Sequence, residues 1–238
     1  MNDPSEKSVD RIPRRYWAVI AVLMLLAVAI STMDVSISQQ LVHSDWPSDL
    51  KKLVSLSEAF SHGMGVAVIL ILIFFTIPDG RQRMWRLVAC PILAGIASNV
   101  CKLLVSRYRP QFYYQANHSG GPESPLQIES TFNGWLPFLK PENLTEHLIQ
   151  SFPSAHTTTA FAFAIGLSWA FPRGRYIFFS LAVLSGLQRI ASQSHWPSDV
   201  AFGAALGTTV GVVVCYSRLG EWVFGRLERW KRRSVESA

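Results

Sequence analysis

Two stretches of this chain, Tyr16–Met33 and Ala59–Ile77, contain no Lys, Arg, Asp or Glu, and each is long enough to cross a hydrocarbon core of about 30 Å. A third run, Leu87–Val105, is apolar except for Asn99 and Lys102 near its end. Three further runs, Thr157–Phe171, Tyr176–Ala191 and Val200–Tyr216, are shorter and richer in Gly, Ala, Ser and Thr. Small residues let helices approach closely inside a membrane bundle. The expected fold is therefore all-α, an integral membrane bundle of six transmembrane helices.

Composition agrees: charged residues make up 16% of the chain and hydrophobic residues 49%, against about 25% charged in soluble domains. The net charge of +6 could suggest nucleic acid, so the placement of the basic residues decides. With both termini in the cytoplasm, the inner segments hold 15 of the 22 Lys and Arg residues, among them Arg83, Arg86, Arg173, Arg175 and Arg218. The outer side holds the other seven: Lys51, Lys52, Lys102, Arg107, Arg109, Lys140 and Arg189. This is the positive-inside pattern. The basic C-terminal tail reads as a topology determinant touching anionic lipid, and no nucleic-acid partner is expected. Cys90, Cys101 and Cys215 lie in apolar stretches without metal-ligand spacing and read as small buried hydrophobes. Basic residues, an apolar run and Ala27-Val28-Ala29 resemble a cleavable signal peptide, but the length of the run favours an uncleaved first span.

The connection between the third and fourth helices, Ser106–Ala155, is far longer than the usual loop and is expected on the outer side, functional or separately folded. It carries Phe112-Tyr113-Tyr114 and Gly134-Trp135-Leu136-Pro137-Phe138-Leu139, which suit interfacial anchoring as well as substrate contact. Asn117-His118-Ser119 and Asn143-Leu144-Thr145 are glycosylation sequons on the same side.

Three polar clusters fall where helices meet that outer surface. Lys102 ends the third helix and is followed by Arg109-Pro110; Pro153-Ser154-Ala155-His156 precedes the fourth; Arg189, His195 and Asp199 lie between the fifth and sixth. The topology brings all three to one membrane depth. Lys102, Arg109 and Arg189 match the three equatorial oxygens of a phosphoryl group in transfer, whose charge preorganised cations stabilise. Lys102 and Arg109 are seven positions apart and would share a helix face, with Pro110 ending that helix. Ser154 is a good N-cap for a helix starting at Ala155, and a phosphate there would meet free backbone N–H groups. His156 is placed to exchange protons with a phosphate oxygen. His195 and Asp199, four apart, would share a face, with the carboxylate accepting the Nδ1 proton and leaving Nε2 as nucleophile. Taken singly, each has a structural alternative: a snorkelling lysine, a helix-end arginine, plain capping, an interfacial His–Asp pair. Asp34, Lys51, Glu58 and His62 also fall near this surface, His62 a few residues inside the expected second span.

In these residues the sequence resembles the type-2 phosphatidic acid phosphatase superfamily, which includes vanadium-dependent haloperoxidases and bacterial acid phosphatases. The family pattern K-x6-R-P, P-S-G-H and S-R-x5-H-x3-D reads here as Lys102…Arg109-Pro110, Pro153-Ser154-Ala155-His156 and Gln188-Arg189…His195…Asp199. The resemblance implies His195 as nucleophile oriented by Asp199, and His156 as the acid that protonates the leaving alcohol and then activates water. It implies Lys102, Arg109, Ser154, Ala155 and Arg189 as the phosphate cradle, with no metal and no other cofactor. Two positions depart from the pattern. Ala155 replaces a glycine whose contribution is chiefly a backbone N–H, which alanine keeps. Gln188 replaces a supporting serine.

The resulting expectation is a hydrolase acting on a lipid phosphate monoester or diphosphate at the outer face of a bacterial inner membrane, through a phosphohistidine. Residues 1–15 would be cytoplasmic, 16–216 the six-span phosphatase domain with outer loop 106–155, and 217–238 a basic cytoplasmic tail. The expected partners are the lipid phosphate substrate and the bilayer. A lipid phosphotransferase using the same site is the nearest alternative, and a phosphate-binding membrane protein without activity is the alternative from another class. The latter has no need of His195 paired with Asp199.

Overall fold

The computed structural model describes residues 12–118, 128–139 and 147–236. Lys140, the sequon Asn143-Leu144-Thr145, Ser119 and most of the cytoplasmic segment 1–15 lie outside the described residues. In chain order the helices are α1 (Arg14–Ser31), α2 (Asp34–His43), α3 (Ser48–Leu56), α4 (Gly63–Thr76), α5 (Pro78–Leu104), α6 (Pro110–His118), α7 (Ala155–Ala170), α8 (Arg175–Ala191), α9 (Pro197–Tyr216) and α10 (Arg218–Glu236). Pro78 and Pro197 each open a helix, where a missing N–H is no loss.

The packing is inverted relative to a water-soluble bundle. Large apolar side chains point outward: Val22, Leu25 and Val28 on α1, Ile71 and Phe75 on α4, Ile92, Ile96 and Val100 on α5, Ile177 and Val183 on α8. The interior, built around α7 and α9, is lined mainly by Ala, Gly, Ser and Thr. Lipid is as apolar as these outward chains, so close helix contact has to come from shape. Gly203, Gly207 and Gly211 supply it along one stripe of α9. A Cβ added at these positions would lie 2.8 Å from the Ser154 carbonyl oxygen, 2.2 Å from that of Thr158 and 2.7 Å from Ile165 Cβ, all on or next to α7. The glycines let α9 lie against α7, and that contact sets Asp199, in the first turn of one helix, beside Ser154, the cap of the other, whose N–H donates to the Asp199 carbonyl at 3.2 Å.

The expectation of a helical membrane bundle holds, while its six spans are matched only in part. Among the described residues, three helices are long and apolar enough to cross a membrane: α1, the Arg83–Leu104 part of α5, and α9. The second expected span, Ala59–Ile77, is only the 14-residue α4 preceded by a short turn, and Ser48–Phe60 meets it at a bend of 71°. Counted as one broken span, that pair gives a fourth. α7 and α8, at 16 and 17 residues, fall short of that length, so six spans are not all matched by six long helices. The fold is not purely helical either. β1 (Val105–Arg107) pairs antiparallel with β2 (Phe132–Trp135), Val105 opposite Trp135 and Arg107 opposite Phe132. The connection 106–155 is thus folded in its described parts, through this two-stranded sheet, α6 and a bridge between Arg107 and Gln150.

At the opposite end of the bundle, Arg86 is more than a topology signal. It is buried, it donates to Glu228 at 2.9 Å and Glu221 at 2.6 Å, and it lies 5.0 Å from the ring centroid of Trp169. Glu221 and Glu228 are seven apart on α10, so one face of the expected basic tail is a helix pinned to the bundle.

Candidate active site

The three polar clusters converge at one end of the bundle, though not by the local geometry expected. Lys102 sits in the last turn of α5. The chain then leaves the helix as β1, so Lys102 and Arg109 do not share a helix face. Pro110 starts α6; it does not end a helix. The correction has a physical cause: Arg107 carries backbone bonds to β2 and to Ser151 N, and Arg109 N donates to the Leu148 carbonyl at 2.8 Å. These cross-chain bonds outcompete one more helical turn.

Ser154 caps α7 as expected: its Oγ accepts from Thr157 N at 3.4 Å and pairs with Thr157 Oγ1 at 2.9 Å. Its hydroxyl is therefore engaged in the cap. The Thr158 N–H is taken up by the Ser154 carbonyl, and among the described residues the N–H groups of Ala155 and His156 have no acceptor. This is the donor arrangement suited to an anion at a helix start.

His195 lies in the tight turn between α8 and α9, where Gln193 adopts a positive φ of 55°. It is buried, and its Nδ1 lies 2.6 Å from the Ser151 carbonyl oxygen. A carbonyl can only accept, so Nδ1 carries the proton and Nε2 keeps its lone pair. Burial, followed by the nearby charges of Arg109 and Lys102, holds the imidazole well below its ordinary range, so the ring is neutral at neutral pH. Asp199 was expected to accept the Nδ1 proton directly. It stands 4.0 Å from Nδ1 and acts through an intermediary: Ser151 Oγ donates to Asp199 Oδ2 at 2.6 Å while the Ser151 carbonyl holds the ring. His195 precedes α9, so the two do not share a helix face, and Asp199 Oδ2 instead caps the helix by accepting Trp196 N at 3.0 Å.

The remaining bonds of Asp199 bring in residues absent from the sequence-based site. Arg107 Nη1 donates to Asp199 Oδ1 at 2.6 Å and Arg107 Nη2 to Asp34 Oδ2 at 2.6 Å, all three groups being buried. Asp34 also accepts from Ser198 N at 2.8 Å. One guanidinium thus neutralises two buried carboxylates from opposite ends of the chain, which a buried charge requires. Arg107 sits within the Lys102–Arg109 interval and Asp34 ends the first apolar run, the only signals that could have marked them. Nothing in the sequence marks Ser151. Trp196, fully buried, donates to the Tyr108 carbonyl at 2.7 Å and is covered by the edges of Tyr113 and Tyr114, so that aromatic run packs over the His195 turn. Trp135 and Leu139 remain exposed, as interfacial side chains would be.

The cations differ in how they are held. Arg189, in the last turn of α8, is paired with Glu58 at 2.7 Å and with Gln188. Lys102 and Arg109 are half-buried, and among the described residues neither has a hydrogen-bond or ion-pair partner for its side chain; Arg109 Nε is fully enclosed and unmet. Both bear electrostatically on His195, as does Arg189. His156, at the first turn of α7, lies within the field of Arg189, Glu58, His62 and Lys102. His62 stands outside α4 as its N-cap, its Nδ1 accepting from Met64 N at 3.4 Å. Among the described residues, no group of three or more His, Cys, Asp or Glu side chains could hold a metal ion.

Known proteins resemble this chain over most of its length. A "Lipid A 1-phosphatase" of Rhizobium etli is 27% identical over 229 residues, 88% of this chain and 89% of that protein. A "Decaprenylphosphoryl-5-phosphoribose phosphatase" of Mycobacterium tuberculosis is 31% identical over 173 residues, 71% of this chain and 81% of that protein. The fold is shared with a PAP2-type phosphatidylglycerolphosphate phosphatase from Bacillus subtilis, at a TM-score of 0.51 and 20% identity, over 83% of this chain and 92% of that one. The PAP2 superfamily pattern matches residues 83–222, a span that contains Lys102, Arg109, His156, Arg189, His195 and Asp199 together, and the chain belongs to the PAP2 superfamily.

Proposed function

We propose that the protein is an integral membrane phosphatase that removes phosphate from a lipid at the outer face of a bacterial inner membrane, through a phosphohistidine on His195. The observation that carries this reading is a pair of cations with no partner among the described residues: Lys102 and Arg109 stand half-buried beside a neutral imidazole whose free nitrogen is Nε2. A desolvated cation without a partner is costly unless an anion arrives. In the first step Nε2 attacks phosphorus, the P–O bond to the alcohol breaks, and His156 gives its proton to the departing oxygen. In the second, His156 takes a proton from water, the water oxygen attacks phosphorus, the N–P bond breaks and phosphate leaves. Lys102, Arg109, Arg189 and the first N–H groups of α7 hold the equatorial oxygens in both steps. Two of the relatives named above are a lipid A 1-phosphatase and a decaprenylphosphoryl-5-phosphoribose phosphatase, and a lipid phosphate of that kind is the first substrate to test.

In this reading the chain crosses the bilayer six times. The shorter α7 and α8 are enclosed or flanked by longer helices, and the end bearing the site faces outward because the opposite end carries Arg83, Arg86, Arg173 and Arg175. Cysteines at Glu129 and Arg173, in a chain with Cys101 replaced by serine, are expected to report opposite sides. An impermeant thiol reagent outside should modify Glu129→Cys and spare Arg173→Cys; the reverse pattern overturns the orientation.

Phosphate release by the purified protein across phosphatidic acid, phosphatidylglycerol phosphate, polyprenyl diphosphate and lipid A tests the function. Because side-chain cations supply the charge stabilisation, turnover is expected to persist in a chelator and to be inhibited by vanadate. Complete loss in the chelator, restored by one divalent ion, would contradict the mechanism.

A further inference from the structure

We propose that Glu58 is a positioning residue that keeps the His156 proton in place and fixes Arg189, an inference that rests on the phosphatase reading above. Glu58 lies in the short turn Ser57–Phe60 between α3 and α4, outside every motif that marked the site. Its Oε1 is 2.7 Å from Arg189 Nη2 and 4.0 Å from His156 Nε2, and its Oε2 accepts from Gln188 Nε2 at 3.2 Å. The Gln188 amide oxygen in turn accepts from Arg189 Nε. Carboxylate and amide together hold the Nε–Nη2 edge of the guanidinium and, among the described residues, leave Nη1 free for a ligand. Gln188, which departs from the serine of the family pattern, is long enough to close this bridge.

Charge supplies the second part of the argument. Four groups face His156 from four elements: Arg189 on α8, Lys102 on α5, His62 ahead of α4, and Glu58. Three are basic, and a phosphate cradle must be so. A general acid has to carry its proton at the working pH, against the field of those same cations. The Glu58 carboxylate is the countercharge that favours the protonated ring. A rival account of the same contacts makes Glu58 an occupant of the phosphate seat on Arg189, displaced when substrate binds; the two accounts predict opposite kinetics.

The test compares Glu58→Gln and Glu58→Ala in the full-length protein in lipid–detergent micelles. Glutamine keeps an oxygen for Arg189 and removes the charge; alanine removes both. Phosphatidic acid, with a poor alkyl leaving group, is set against p-nitrophenyl phosphate, whose departure needs no acid. Glu58→Gln is expected to lower kcat on phosphatidic acid by roughly 10- to 100-fold, part of what general acid catalysis contributes, with KM little changed. On the aryl ester kcat should hold within about threefold, and the basic limb of the phosphatidic acid profile should move to lower pH. Glu58→Ala should slow both substrates. Equal loss on both substrates in Glu58→Gln, with an unmoved limb, overturns the proposal, and so does a lowered KM with unchanged kcat. His195→Ala run alongside separates the two levels. Turnover surviving there breaks the phosphatase mechanism, whereas its loss beside an unaffected Glu58→Gln breaks the Glu58 assignment alone.

Discussion

His195→Ala is expected to abolish turnover on every phosphate ester, whatever the leaving group, by roughly 10⁴- to 10⁶-fold, the scale seen when a nucleophile is deleted. The size follows from chemistry: without Nε2 there is no group to receive the phosphoryl, and the cradle of Lys102, Arg109 and Arg189 can only bind it. The substitution also leaves the Ser151 carbonyl without the donor it has at 2.6 Å. An unmet buried acceptor costs about 1–3 kcal/mol, so thermal unfolding should be measured with the kinetics. Two readouts separate lost chemistry from lost fold. The folded variant should still bind vanadate, and acid-quenched enzyme should retain no label from a labelled substrate. Turnover near the wild-type level would remove the nucleophile assignment.

His156→Ala should behave differently, because His156 moves protons and makes no bond to phosphorus. On a lipid phosphate, whose alkoxide leaves poorly, the loss is expected in the range of about 10²–10⁴-fold usual for general acid–base catalysis. On an activated aryl phosphate the first step should survive, while hydrolysis lacks its base, so phosphohistidine should accumulate and be trapped on acid quench. Equal losses on both substrates with no trapped intermediate would count against the proton-transfer role. Its position favours that role: it stands on the first turn of α7, adjacent to the free N–H groups, and is more exposed than the buried His195.

The Arg107 network shows where sequence reasoning ends. Asp199 was paired with His195 because four residues separate them, an inference valid inside a helix. The chain is still in a turn at His195, and α9 begins only at Pro197. The imidazole instead meets Ser151, 44 positions away, and Asp199 meets Arg107, 92 positions away. Lys102 and Arg109 failed as helix neighbours for the same reason, since β1 intervenes. Both still bear electrostatically on His195, so the convergence survives without a shared helix face.

What the sequence determined by itself was set by residue type and by short spacing. Charge-free runs marked α1 and the α4 region, Ser154 marked the start of α7, and the motif residues from Lys102 to Asp199 marked the family. These properties are local, and local physics governs them: transfer into lipid, capping, and side-chain pKa class. The tertiary structure alone decided which carboxylate answers which cation: Asp199 and Asp34 on Arg107, Glu58 on Arg189, Glu221 and Glu228 on Arg86. A buried charge takes its partner from whichever segment the packing brings within about 3 Å. In this bundle the packing is set by the glycine stripe of α9 against α7, whose effect on distant side chains no spacing along the chain records.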